Sequence, residues 1–151
     1  MNDTISKFNY PESLIKEYNC WVVLIRDKQV TLGSLILAYK GDCDSLSNVS
    51  REGYVELEIV IKEVEVTLKR VFHYDKINYL ALMMIDKEVH MHIIPRYDSS
   101  RKFRSKLYFD SGWPGQPDFK NDNDLSKSEL NLLREYLSDS MNSQFEKALI
   151  F

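Results

Sequence analysis

Apolar positions along the chain fall into two periods, and the changes of period mark the elements. Cys20 to Ile25 is an unbroken run of β-branched and aromatic residues, which predicts a strand. Asp27-Lys28-Gln29 interrupts it. Leu35 to Tyr39, entered through Gly33, is a second strand, and Gly41-Asp42 ends it. Over residues 51–72 the period becomes helical. Leu57, Ile61, Val64, Leu68 and Val71 share a face, Ser50 stands at the N-cap position and Glu52 lies in the first turn. Glu58 with Lys62 and Glu65 with Lys69 are spaced for i,i+4 ion pairs, and His73 suits the C-terminal end. Ile77 to Ile85 and Val89 to Pro95 predict two strands around the break Asp86-Lys87, hence a hairpin. Lys106 to Phe109 is a further short strand, and the turn-rich stretch from Gly112 to Pro117 is a loop. Residues 126–148 predict a second long helix. Ser126 and Glu129 form its capping box, and Leu130, Leu133, Leu137 and Met141 line its apolar face. Residues 10–18, with Pro11 in the first turn, predict a short helix.

This order of antiparallel-type strands with helices between them implies one α+β domain over residues 1–151. Its core spans about residues 10–110, followed by a C-terminal loop and helix over 111–151. Hydrophobic residues at 44% and charged residues at 28% fit a globular chain. The formal net charge of −3 offers no basic field for general nucleic-acid binding. Two cysteines, Cys20 and Cys43, make neither a disulfide framework nor a Cys-rich metal site. No run approaches the ~20 apolar residues of a membrane span, and Met1 to Tyr10 carries no apolar leader core. The expectation is a cytoplasmic protein without a membrane partner.

Two of the three histidines stand in Glu88-Val89-His90-Met91-His92-Ile93-Ile94-Pro95-Arg96. On a strand side chains alternate, so Glu88, His90 and His92 share one face while Val89, Met91 and Ile93 pack on the core. Three readings of the polar face follow. It is a solvated surface with incidental histidines. It is a metal site built from two imidazoles and a carboxylate, although neighbouring positions on one strand reach one ion only with help from elsewhere. Or it is a nucleophilic site, in which a neutral imidazole attacks phosphorus while the second histidine stabilises phosphate charge or protonates the leaving group.

The stretch from His90 to Arg96 resembles the end of the histidine triad signature, in which histidines alternate with apolar residues. Lys-Ile-Asn-Tyr-Leu-Ala-Leu around Asn78-Tyr79 is similar to the strand before that signature. Thr31 to Leu37 is similar to an earlier strand that usually reads Pro-Gly-His, and Lys40 with Asp44 to Ser47 to the link into the long helix. The likeness covers about residues 20–97. It implies a five-stranded antiparallel sheet with two main helices, often paired across a homodimer. It also implies nucleotidyl hydrolysis or transfer through a nucleotidyl-histidine intermediate, with a nucleotide substrate of adenine or another purine and no cofactor or metal. His90 matches the nucleophile and His92 the phosphate-contacting histidine.

The chain departs from the pattern at three places. Glu88 replaces the first triad histidine, Ser34 replaces a further histidine after Gly33, and Met83-Met84-Ile85 replaces a phosphate-contacting turn. Glu88 joins the catalytic candidates as a group that raises the basicity of the neighbouring imidazole. Arg26, Asp27, Ser34, Arg96 and Trp113 are the substrate-binding candidates. Arg26 and Asp27 end the first apolar strand, where the family meets the ribose. Arg96 opens a run of five cations in eleven residues that suits phosphate, and Trp113 suits stacking on a base. Loss of two family histidines leaves a non-catalytic nucleotide-binding module open as an alternative. A metal-dependent enzyme using Glu88, His90 and His92 is the other.

Overall fold

The computed structural model describes the backbone of residues 1–150 and the side chains of residues 1–143. In chain order it runs α1 (Asp3–Lys7), β1 (Leu14–Glu17), β2 (Trp21–Ile25), β3 (Leu35–Tyr39), a 3₁₀ turn (Leu46–Asn48), α2 (Arg51–Phe72), β4 (Lys76–Leu80), β5 (His90–Arg96), β6 (Arg101–Phe103), β7 (Lys106–Tyr108) and α3 (Lys127–Ile150). Strands β1 to β5 form one antiparallel sheet in the order β1-β2-β3-β5-β4, and β6 and β7 make a separate hairpin.

A strand apolar at every position must be covered on both faces, and β2 and β3 are buried along their whole length. Trp21, Val23, Ile25, Leu35, Leu37, Val89 and Ile93 meet Val60, Val64 and Leu68 of α2 and Leu133, Leu137 and Met141 of α3. On the opposite face Val22, Leu24, Ile36 and Ala38 pack under Ile5 of α1, with Phe8, Tyr10 and Leu14 alongside. The polar-looking N-terminal segment thus forms a thin second cover over the sheet.

The helix ends follow the sequence. Ser50 Oγ accepts from the Gly53 N–H at 3.0 Å, and His73 closes α2 in the left-handed conformation with its N–H on the Lys69 carbonyl. The capping box of α3 is reciprocal, with Glu129 N–H on Ser126 Oγ at 3.1 Å and Ser126 N–H on Glu129 Oε1 at 2.8 Å.

Three expectations are corrected. Residues 10–18 are not a helix: a turn leads into β1, which pairs with β2 through a register shift between Leu14 and Lys16. That irregularity erases the alternation by which a strand is recognised. The apolar run from Ile77 continues as strand only to Leu80. There Leu80 pairs with His92, and Leu82, Met84 and Ile85 lie exposed in the connection to β5. The buried face of α2 is rotated from the expected one and takes in Glu63 and Thr67, while Leu57, Ile61 and Val71 lie at its margin. Glu63 is tolerated there because Lys16 Nζ reaches its carboxylate at 3.0 Å and Tyr18 Oη donates to it at 2.6 Å. Among the described residues no helix is long and apolar enough to cross a membrane.

Candidate functional site

β5 places both histidines in the middle of the sheet, His90 opposite Ala38 of β3 and His92 between Ile36 of β3 and Leu80 of β4. Alternation puts the two rings on the face away from α2 and α3, with centroids 5.3 Å apart. That face is not open. His90 is 2% exposed and His92 9% exposed. The Phe8 ring lies 5.4 Å from His90 and 6.1 Å from His92, and Phe119 lies 6.0 Å from His92 on the other side. The pair therefore sits in an aromatic setting, between the N-terminal segment and the loop that follows Trp113.

Each ring is fixed by one hydrogen bond at Nδ1. For His90 the partner is the Glu88 carbonyl oxygen at 2.8 Å. A carbonyl accepts only, so His90 Nδ1 carries a proton, and in the neutral ring the lone pair lies on Nε2. For His92 the partner is Arg26 Nε at 3.3 Å. Burial first, and then the Arg26 charge and the His90 ring, push the His92 pKa down to about 4, so His92 is neutral at pH 7.

Glu88 acts on His90 through its backbone. Its carboxylate turns away to Thr4 of α1, whose hydroxyl donates to it, and the Glu88 N–H returns a bond to Thr4 Oγ1 at 3.3 Å. That hydroxyl is the leading cause holding the Glu88 carboxyl below its usual range. Glu88 thus fastens the N-terminal cover. Lys7 to Asp86 at 3.3 Å, and Asn2 Nδ2 to the carbonyls of Tyr39 and Gly41 at 2.9 and 3.0 Å, fasten it further.

The other sequence candidates are dispersed. Arg26 reaches the pair, lying over Phe119 with its guanidinium carbon 5.1 Å from the ring centre. Asp27 points instead to Asn9, beside a second cleft between the N-terminal turn and the start of α3. Ser34 is fully buried, and its hydroxyl donates to the Thr31 carbonyl at 2.8 Å, closing the turn around Gly33. Arg96 shares the histidine face but has all three guanidinium nitrogens engaged. Asp110 takes two of them at 2.8 and 3.1 Å, and Asn78 takes the third at 2.9 Å. Trp113 lines an open cleft with Arg96, Asn78 and Tyr79 of the sheet edge. Of the following cations, Arg101 is spent on Asp75 and on the carbonyls of Phe72 and His73. Phe8 and Phe119 escaped the sequence reading. Their only signal is an isolated aromatic in an otherwise polar stretch. No group of three His, Cys, Asp or Glu side chains arranged to hold a metal occurs among the described residues.

The same architecture occurs in solved histidine triad proteins. A histidine triad protein from Marinobacter aquaeolei superposes with a TM-score of 0.73 at 16% identity, over 95% of this chain and 96% of that one. A histidine triad protein from Sinorhizobium meliloti gives 0.71 at 18% identity, over 93% and 95%. A hypothetical histidine triad nucleotide-binding protein from Sulfolobus tokodaii gives 0.70 at 18% identity, over 93% and 90%. No protein-family model and no curated protein matches the chain. The fold is that of the histidine triad proteins, an α+β domain around a five-stranded antiparallel sheet.

Proposed function

We propose that this chain is a divergent histidine triad protein that binds a nucleotide, with adenine or another purine as base, and cleaves its phosphate linkage at His90. The observation that carries the reading is the bond from His90 Nδ1 to the Glu88 carbonyl, which selects the tautomer whose neutral ring offers Nε2 as nucleophile. In the forward step Nε2 forms a bond to phosphorus, and the bond from phosphorus to the leaving group breaks. Water then cleaves the nucleotidyl-histidine. No metal enters these steps. His92 lies beside the attacked phosphate, and the rings of Phe8 and Phe119 supply apolar surface for a base.

The test is incubation with a panel of nucleoside phosphoramidates and phosphoanhydrides, followed by intact-mass analysis. A nucleoside monophosphate adduct that maps to His90, with product release, is the expected outcome. His90→Ala should lose about a thousand-fold or more in rate while remaining folded. Undiminished turnover in that variant would reject the assignment. The 2% exposure of His90 beneath Phe8 favours a second reading, a module that binds nucleotide without turnover. Stoichiometric binding with neither adduct nor product would select it.

A further inference from the structure

The two imidazoles are held by partners of opposite sense. The Glu88 carbonyl, 2.8 Å from His90 Nδ1, accepts a proton and offers none. Arg26 Nε, 3.3 Å from His92 Nδ1, donates a proton and accepts none. His92 Nδ1 must therefore be the bare nitrogen of its ring, and the single proton of the neutral imidazole lies on Nε2. We infer that Arg26 is a positioning residue that holds His92 in the neutral Nε2–H form, so that the histidine pair presents one lone pair and one N–H to a bound phosphate.

Arg26 is itself held in place for this task. Its Nη1 donates to the Lys28 carbonyl at 2.7 Å, its backbone N–H donates to the Ser34 carbonyl at 3.0 Å, and its guanidinium lies over Phe119. Placing a second proton on His92 would set Nδ1–H against the Arg26 N–H and two cations side by side in a buried site. The charged and titratable groups that bear on the ring are Arg26 on the β2 end, His90 on its own strand and Asp86 in the connection before β5. Burial lowers the pKa of Arg26 itself, and Asp122 and Asp27 act in the opposite direction. Only Asp86 favours a protonated His92, and it is outweighed. His92 consequently stabilises phosphate charge by a hydrogen bond, and a leaving group that needs a proton takes it from water.

The assignment rests on the reading of His90 as nucleophile, but its test needs no substrate. Long-range proton–nitrogen correlation spectra of the ¹⁵N-histidine-labelled chain, with His92→Gln to assign the ring, report which nitrogen carries the proton. The expected result is a protonated Nε2 and a bare Nδ1 on His92, persisting down to about pH 5. In Arg26→Leu the ring should lose this preference, and its titration should move up measurably toward the ordinary 6.5, burial holding the remainder of the shift. A proton on Nδ1 of His92 in the unaltered chain overturns the inference without any variant, and so does a titration that Arg26→Leu leaves unmoved. Should Arg26→Leu fail to fold, Arg26→Gln serves. It removes the charge and brings both a donor and an acceptor, so loss of the Nε2–H preference is again expected. An adduct on His90 together with the wrong His92 tautomer would fail this inference alone. The right tautomer without an adduct or turnover would fail the nucleophile reading alone.

Discussion

At the scale of the residue, His92 imposes a pH dependence on stability. The folded chain holds His92 neutral down to about pH 4, while the unfolded chain protonates it near 6.5. As pH falls from 6.5 toward 4 the unfolded state takes up a proton that the folded state refuses, so stability is lost over that window and is intact above it. Urea midpoints at pH 7 and pH 5 should differ by the equivalent of about 1–2 kcal/mol, and His92→Gln should flatten the difference. A second expectation concerns Arg96 and Asp110, whose side chains are 5% and 1% exposed. Removing one partner leaves a buried charge without its counterion, so Asp110→Ala should cost about 3–5 kcal/mol, read from the same urea titration. Arg96 also shows the limit of sequence reading at this scale. The motif located it next to the histidines, but its acceptors come from β4 and from the loop after β7, and nothing in the neighbouring residues announces them. His90, His92 and Arg26 were legible because strand alternation and the end of an apolar run place them. The partner that decides Glu88, Thr4, lies 84 residues away.

At the scale of the element, the N-terminal segment is the piece that sequence pattern hid. Asp3–Lys7 is a single helical turn with one large apolar residue, too short for periodicity to register. Ile5 is nonetheless fully buried against Val22, Leu24, Ile36 and Ala38. The long helices and the central strands were legible because their own caps and runs define them. β1 was not, because its pairing with β2 overrides a local pattern that reads as helix. Ile5→Ala should destabilise by about 2–4 kcal/mol, measured by thermal or urea unfolding. Phe8→Ala removes the ring over His90 without unpicking the Thr4 anchor. In that variant diethyl pyrocarbonate should modify His90 several-fold faster, with the site mapped by mass spectrometry. An unchanged rate would mean that Phe8 does not limit access to the imidazole.

At the scale of the molecule, two surfaces among the described residues suit a partner. β4 is an edge strand, and α2 exposes Val55, Ile59 and Val66 on its outer side. An uncovered edge and an apolar helix stripe are the ingredients of a symmetric dimer that extends the sheet. A homodimer at micromolar concentration is expected by light scattering, and Ile59→Glu should shift it to monomer. A monomeric unaltered chain would refute this. The anchoring of Asn2 to the carbonyls of Tyr39 and Gly41 has a practical side. An affinity tag fused directly ahead of Met1 would be tethered only a few residues from the histidine pair, whereas one attached at the other end would not share that anchor. Preparations tagged at opposite ends should therefore disagree in any assay that depends on entry to the site, and enzymologists would do well to compare them before calling the protein inert.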